Sequence, residues 1–415
     1  MNKYEKSDVI IYDIKITNAL GDDTKDVGGQ LLTMSIYEDM QEPFIFAELV
    51  LKDEVDLINK LPIIGEENIQ ISFKTPGREN ITTYNLRVFH ITASENATLS
   101  LGTSYTLQCV SIEHFVGTSL NVERTYKDLV SNMVNDIMVN VIQTKKKLFI
   151  EPTRGIVSLS VPRQKAIKAI DLLRQRAIGM APTGGVFVFF ENQSGFVFKS
   201  IEKLFDEGKS TIQSKVFTYT TAVNNDDERS KLMFRNMINY QYLKKANNAE
   251  KLFSGVFNNS TKAYDILTKQ YSDTEFKLVE QSNRLTTGQN RKTGLPNSLN
   301  FVNSFSNIKD NMFFMTKDSS KPEEFLDTFQ SFKQAYATLF NQNILRALVH
   351  GDSYLRVGDV VDINIPQASV IDVEKEDPSL SGNYMITKLR HLFYLEQGKF
   401  KHRVAFDCNK LGAIK

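Results

Sequence analysis

The chain has 415 residues, 41% of them apolar and 24% charged, which is ordinary globular composition and enough length for roughly two to four packed domains. Lys plus Arg number 50 against 49 Asp plus Glu, so there is no field of one sign of the kind that tight, salt-dependent nucleic-acid binding requires. Two cysteines make no disulfide framework, Met1 to Lys6 has no apolar signal core, and no apolar run approaches the roughly 20 residues of a membrane span. These features predict buried thiols, a reducing cytosol and no membrane partner.

From Asp8 to about Gly117 the pattern is almost wholly β. Val9 to Ile16 alternates and runs into the Gly21 and Gly28-Gly29 turns, and Leu31 to Tyr37 and Phe44 to Leu51 follow, split by Pro43. Ile69 to Phe73, Asn85 to Ile91 and Tyr105 to Val110 complete the set. Period-two alternation with closely spaced turns predicts an antiparallel barrel or small sandwich over 1–117. Asp53 to Leu61 reads as a short helical turn.

The period then changes. Thr125 is placed to cap a helix whose Tyr126, Leu129, Val130, Met133, Val134, Ile137, Met138 and Val141 share one face. A second helix is expected from Pro162, with Ile167, Ile170, Leu173 and Ala177 inward. Its other side carries Arg163, Lys165, Lys168, Arg174 and Arg176, a solvated face on the simpler reading and a phosphate-contacting one on the other. Val186 to Phe190 and Phe196 to Lys199, around the turn Glu191 to Gly195, predict a β-hairpin. Together these make an α+β domain over 118–207.

β character returns in Val216 to Val223 and Asn236 to Leu243. Between 244 and 320 the chain is polar and irregular, with only Lys262 to Leu267 and Glu275 to Val279 strand-like. A helix is expected from Pro322, carrying Phe325, Phe329, Phe332, Tyr336 and Leu339 on one side. It leads into a second β domain that is discontinuous, 208–243 plus 341–415, with 244–340 an inserted domain and connecting helix.

The two ends of the chain repeat one unit. Ile63-Ile64-Gly65-Glu66 runs into Ile69 to Phe73, and Arg356-Val357-Gly358-Asp359 runs into Val361 to Ile365. Each is followed by a second strand (Asn85 to Ile91, Asn383 to Leu389) and a third (Tyr105 to Val110, Phe400 to Phe406). Cys109 and Cys408 fall in the third strand of each copy, and a bond between them needs the copies to pack edge to edge. An oligomer of such chains makes a ring with twice as many modules as subunits, an architectural role.

Reactive constellations are scarce. His90, His114, His350, His391 and His402 form no H-x-x-x-H or H-x-x-E-H pair, and three of them lie in strands as ordinary strand residues. Glu207-Gly208-Lys209-Ser210-Thr211 ends like a phosphate-binding loop, but Lys203 stands where its first glycine belongs. No G-x-S-x-G elbow occurs, and Asp22-Asp23 and Asp226-Asp227-Glu228 lack calcium-loop spacing. With no Trp, and with 28 Phe and 15 Tyr at core-like positions, a sugar-stacking adhesin surface is disfavoured. No catalytic, cofactor-binding or metal-ligating residue is assigned, and no cofactor is expected.

Three segments resemble the baseplate hub proteins of contractile-tailed bacteriophages, relatives of the trimeric spike proteins of type VI secretion. They are Ser331 to Pro366, with Gly351-Asp352-Ser353-Tyr354-Leu355-Arg356-Val357-Gly358-Asp359; Leu380 to His391; and the helix–hairpin element ending in Phe187 to Asn192 and Gly195 to Ile201. Region 244–320 departs from the pattern. The resemblance implies a mainly β fold with α+β, having two related antiparallel β-barrel (tube-type) domains, a helix–hairpin α+β domain and an inserted polar domain. It implies a non-enzymatic homotrimer in the virion tail baseplate, assembled in the host cytoplasm. Its six modules would join the sixfold tail tube or a tube-initiator protein to a threefold central spike, with baseplate wedge proteins around it and DNA passing through unread. The alternatives are the hub of a DNA-free injection device, a cell-wall lytic enzyme using carboxylates within 244–320, and a receptor adhesin.

Overall fold

The computed structural model describes residues 7–53, 63–96, 103–180, 184–208, 210, 215–219, 235–245, 258–277, 311–317, 326–367, 376–377 and 380–410. The expected helical turn from Asp53 falls largely on 54–62, outside the described residues, as do 220–223, 278–279 and 322–325.

The N-terminal module is built from β1 (Ile10–Thr17), β2 (Thr24–Asp26), β3 (Leu31–Asp39), β4 (Phe46–Asp53), β5 (Asn68–Lys74), β6 (Thr82–Asn96) and β7 (Thr103–Ser111). Alternate residues of these strands, among them Met34, Ile36, Ala47, Leu49, Ile69, Ile71, Val88 and Leu107, point into one buried cluster. A short helix that the strand pattern does not announce, α1 (Ile112–Ser119), ends the module.

The middle region departs from expectation at both of its helices. Residues from Thr125 to Leu129 belong to a strand, β8 (Asn121–Leu129), and α2 begins only at Val130 (Val130–Asp136), continuing as a π-turn over Ile137–Val141. The spacing of Tyr126 and Leu129 fits a helix, but β8 finds an antiparallel partner that satisfies its backbone. After β9 (Leu148–Ile150), that partner is β10 (Ile156–Lys165), so Pro162 opens no helix. It lies where the β10–β8 register shifts between Val161 and Gln164, a bulge that tolerates a missing N–H. The helix itself is α3 (Ala166–Arg176). The expected hairpin is β11 (Phe187–Asn192) and β12 (Gly195–Ser200), followed by α4 (Ile201–Gly208). Gly195 has φ +137°, and a Cβ there would collide with the backbone of Lys147.

The C-terminal module comprises β13 (Val216–Thr218), β14 (Met237–Lys245), and, beyond an insertion, β18 (Asn343–His350), β19 (Val360–Asn364), β20 (Gly382–Glu396) and β21 (Lys399–Asn409). The insertion contributes a small sheet, β15 (Asn258–Asp265), β16 (Tyr271–Lys277) and β17 (Asn311–Lys317), and then α5 (Leu326–Phe340). β17 is a strand that the polar composition of this region conceals. Phe276 of β16 meets Phe332 of α5 at 4.9 Å between ring centroids, and both join the core of the C-terminal module.

Strands of both modules form one 13-stranded sheet in the order β14-β18-β21-β20-β3-β4-β7-β6-β5-β1-β2, with β19 and β13 branching from β20. The sheet is mostly antiparallel, and among the described residues neither module closes into a barrel.

The repeat holds in strand order and in register around Cys109 and Cys408, although β6 has a second bulge between Thr92 and Glu95, and β14 one between Tyr242 and Lys244, that the other copy lacks. In space β3-β4-β7-β6-β5 matches β14-β18-β21-β20-β19, and the chain visits both sets in the same order. Val88 pairs with Cys109, which pairs with Ala47; Ile386 pairs with Cys408, which pairs with Leu345. A bulge interrupts both ladders one residue later, at Phe89 and at Thr387. The backbone places Glu67, rather than Glu66, opposite Asp359 in the alignment: the Glu67 carbonyl accepts from Val88 N–H at 2.9 Å, and that of Asp359 from Ile386 N–H at 2.9 Å.

Candidate functional site: the junction of the two β modules

The modules meet where β20 outlasts its own unit. Its first residues pair with β19 (Val360↔Met385), and its later ones pair with β3 from Lys388↔Asp39 to Tyr394↔Thr33. One edge of one strand therefore serves two sheets in turn. Side chains reinforce the ladder: Lys388 Nζ lies 2.7 Å from Asp39, the Arg390 guanidinium donates to Ser35 Oγ at 3.0 and 3.2 Å, and it lies 5.3 Å from the centre of the Tyr37 ring.

Beneath the ladder, Phe393 of β20 is fully buried in the core of the N-terminal module, 4.7 Å from Phe73 between ring centroids and stacked on His402 at 4.3 Å. His391 Nδ1 and His402 Nε2 are 3.0 Å apart, and both rings are inaccessible to solvent. Burial holds His391 down at about 4, against a small pull upward from Asp352; burial and then the neighbouring His391 push His402 well below the ordinary range. A Cβ on Gly351 would collide with the His402 ring, so the turn after β18 needs glycine there.

Glu38, at the end of β3, is the polar counterpart of this core. Its Oε1 accepts from Gln193 N–H at 2.8 Å and from Tyr84 OH at 3.2 Å, and its Oε2 accepts from Val357 N–H at 3.0 Å. One carboxyl thus joins both modules and the tip of the β11–β12 hairpin. Burial raises it to about 7, although all three donors favour the carboxylate. The hairpin tip is wedged in by Asn192 Nδ2 donating to the Val357 carbonyl at 3.0 Å and by Arg356 donating to Ser194 Oγ.

A further clasp lies at the β5–β6 turn. Arg78 grips Asp352 through two nitrogens, with Nε at 3.0 Å, and its guanidinium lies 4.6 Å from the centre of the Tyr354 ring. Ser353 N–H donates to Thr75 Oγ1 at 2.9 Å.

Groups that the sequence raises for chemistry are dispersed. Of the histidines only His391 and His402 meet; His350 Nδ1 lies 2.7 Å from Ser7 Oγ, His114 packs edge-on against Phe44, and His90 is exposed on β6. Among the described residues no group of three or more His, Cys, Asp or Glu could hold a metal ion. Asp22 accepts from Asn18 in a turn, Asp23 pairs with Lys25, and Asp226-Asp227-Glu228 lie outside the described residues. Glu207 and Gly208 end α4, where Glu207 binds Lys199 at 2.6 Å and Gly208 abuts Val360. Arg163 and Lys165 lie on β10 while Lys168, Arg174 and Arg176 lie on α3, so the basic face spans two elements. Lys165 Nζ is spent on the Ser119 carbonyl and Arg174 on Asp171. Cys109 and Cys408 are buried and unbonded, and burial raises both thiols. A cavity of about 740 Å³ beside the junction contains no Ser, Cys or His; its Asp39, Asp171 and Asp407 each bind a basic partner.

Glu38 and Phe393 carry no motif. The signal for Phe393 is the alternation that runs on from Met385 to Leu395, longer than the matching strand of the first copy requires.

No family model matches the chain, and no curated protein sequence does. Solved structures do. A tail protein from Neisseria meningitidis superposes with a TM-score of 0.54 at 9% identity, covering 97% of each chain. The 43 kDa tail protein of a Shewanella oneidensis prophage gives 0.53 at 9% identity, covering 97% of this chain and 100% of the other. The fold is that of phage tail proteins. At this identity the match concerns architecture alone, and it spans both modules, the middle region and the insertion together.

Proposed function

We propose that the chain is a structural hub of a contractile-tail baseplate. In this reading three copies form a pseudo-sixfold ring that seats the sixfold tail tube on one side and the threefold spike on the other. Wedge proteins surround it and DNA passes through its opening. The domains are 1–117, 118–207, 208–243 plus 341–415, and the inserted 244–340, with the first and third acting as tube-type modules and no reaction catalysed. The observation that carries this is the β3–β20 ladder. It sets two topologically matched modules side by side in one continuous sheet, which is what two adjacent positions of a doubled ring require. The tail-protein fold supports the same reading.

Electron-microscopy class averages of the purified chain test it. A threefold ring with a six-lobed outline is expected. A chain that stays monomeric and joins neither spike nor tube protein overturns the proposal.

A further inference from the structure

We propose that a cavity between the N-terminal sheet and the helices α1 and α3 receives an arginine side chain from an extended segment of a partner protein. The cavity measures about 480 Å³. Tyr37, Phe44, Phe46, Phe89 and His114 give it five rings, Asp39 and Glu42 give it two carboxylates, and neither Lys nor Arg lines it. Tyr37 and Phe46 are 5.7 Å apart between ring centroids at 42°, and Phe46 and Phe89 are 5.8 Å apart at 59°, so the three rings form a bent wall rather than a stack. The inference stands apart from the ring reading, because it concerns one chain and what enters it.

The repeat supplies an internal comparison. Phe46, Phe89 and Val110 hold the register positions that Ile344, Thr387 and Asn409 hold in the other copy. Those last three line the 740 Å³ cavity beside the junction. Each module therefore has a cavity at the same place in its ladder, and Asp39, Glu42, Pro43 and Ile167 form a wall common to both. The second cavity carries Lys168, Arg174 and Lys388 on its own lining; the first carries no such cation. Rings and carboxylates without a cation are the set that attracts one.

Two residues make the first cavity receptive. The bulge between Val88 and His90 leaves Phe89 unpaired, and its side chain stays 40% exposed beside Phe46. Glu42 is exposed and makes no ion pair with the described residues, whereas Asp39 is held by Lys388. Around the cavity Asp39, Glu42 and Glu48 stand against Lys388 and Arg390, which leaves one negative charge over. Burial lowers His114, so that ring stays neutral at pH 7. Arg390 already lies 5.3 Å from the centre of the Tyr37 ring, while Phe46 and Phe89 have no cation on them among the described residues. A planar, weakly hydrated guanidinium can lie against these rings and still reach the Glu42 carboxylate, which a strongly hydrated ammonium does less well.

Saturation-transfer NMR on the full chain tests this with three capped tripeptides, carrying arginine, lysine or citrulline between two glycines. Citrulline keeps the shape of arginine and lacks its charge. The arginine peptide is expected to bind about fivefold more tightly than the citrulline one, and to lose about that factor in Phe89→Thr and in Glu42→Gln. Phe89→Thr installs the residue that the other copy carries at its bulge, and both positions are exposed, so neither change disturbs the core. Equal binding of the arginine and citrulline peptides overturns cation recognition, and lysine binding as tightly as arginine overturns the guanidinium assignment. Arginine binding that survives Phe89→Thr unchanged overturns the choice of cavity, and survival in Glu42→Gln overturns the role of that carboxylate. No saturation transfer to any peptide overturns the site outright. None of these results alters the ring reading, which the class averages decide.

Discussion

The N-terminal and C-terminal modules share a ladder and differ in almost everything attached to it. In the first, β3 reaches β4 across the short stretch Met40 to Ile45; in the second, the equivalent passage from β14 to β18 admits 246–342, with a three-stranded sheet and α5. The insertion adds one bulge beside it, between Tyr242 and Lys244, and leaves the rest of the register in place, and because each doubling of loop length costs only about 0.6 kcal/mol the much longer connection is cheap to close. The insertion also brings its own apolar face, since Phe332, Tyr336 and Phe340 of α5 enter the second core. The first core is completed instead by Phe393, lent by the other module. Repetition thus lies in the strands, and individuality lies in what fills each core from outside.

The sharpest way to break this comparison is to remove the borrowed ring. Phe393→Ala should cost about 3–5 kcal/mol, and because Phe393 belongs to one module's strand and the other's core, urea unfolding should remain a single transition at lower midpoint. Two separated transitions would mean that the modules are independent. Next comes Glu38→Gln, which replaces one of the two acceptor oxygens by an NH2 group set against a donor and should cost about 1–3 kcal/mol.

The same variant sharpens the pH dependence. His391 is held at about 4, so as pH falls from 6.5 towards 4 the unfolded chain takes up a proton that the folded one refuses, and stability drops; His402 acts in the same direction. Glu38, raised to about 7, works the other way: its contribution is full below 4.5 and is lost as pH rises through 7. Removing it with Gln should make the gain in stability with rising pH steeper by about 1.4 kcal/mol per pH unit between 5 and 6.5, read from urea titrations. An unchanged slope would show that Glu38 does not titrate there. The smallest effect is expected from Arg390→Ala, whose exposed contacts to Ser35 and Tyr37 should be worth about 1 kcal/mol or less, with the β3–β20 ladder surviving by amide hydrogen exchange.

Much of this was legible beforehand, and its limits are instructive. Alternation from Val9 to Val110 and the Gly-containing turns at Gly65 and Gly358 announced both modules, because a strand buried on one face must alternate. The hairpin was legible in Phe187 to Lys199 for the same reason. Thr125 to Leu129 and Pro162 were misleading because three- and four-residue spacings occur by chance in a short strand, and only the partner β10 decides between the two periods. The copies aligned one residue out at Glu66, since a turn of different length leaves no trace in composition.

Sequence alone determined that there are two like β units, that they are separated by an α+β region, and that no catalytic constellation stands out. Tertiary structure decided that the units share one sheet and that Tyr84, Gln193 and Val357 converge on the Glu38 carboxyl. The reason is physical: periodicity records which face of a strand is buried, but which strand accepts its backbone hydrogen bonds depends on residues more than three hundred positions away, as in Lys388↔Asp39.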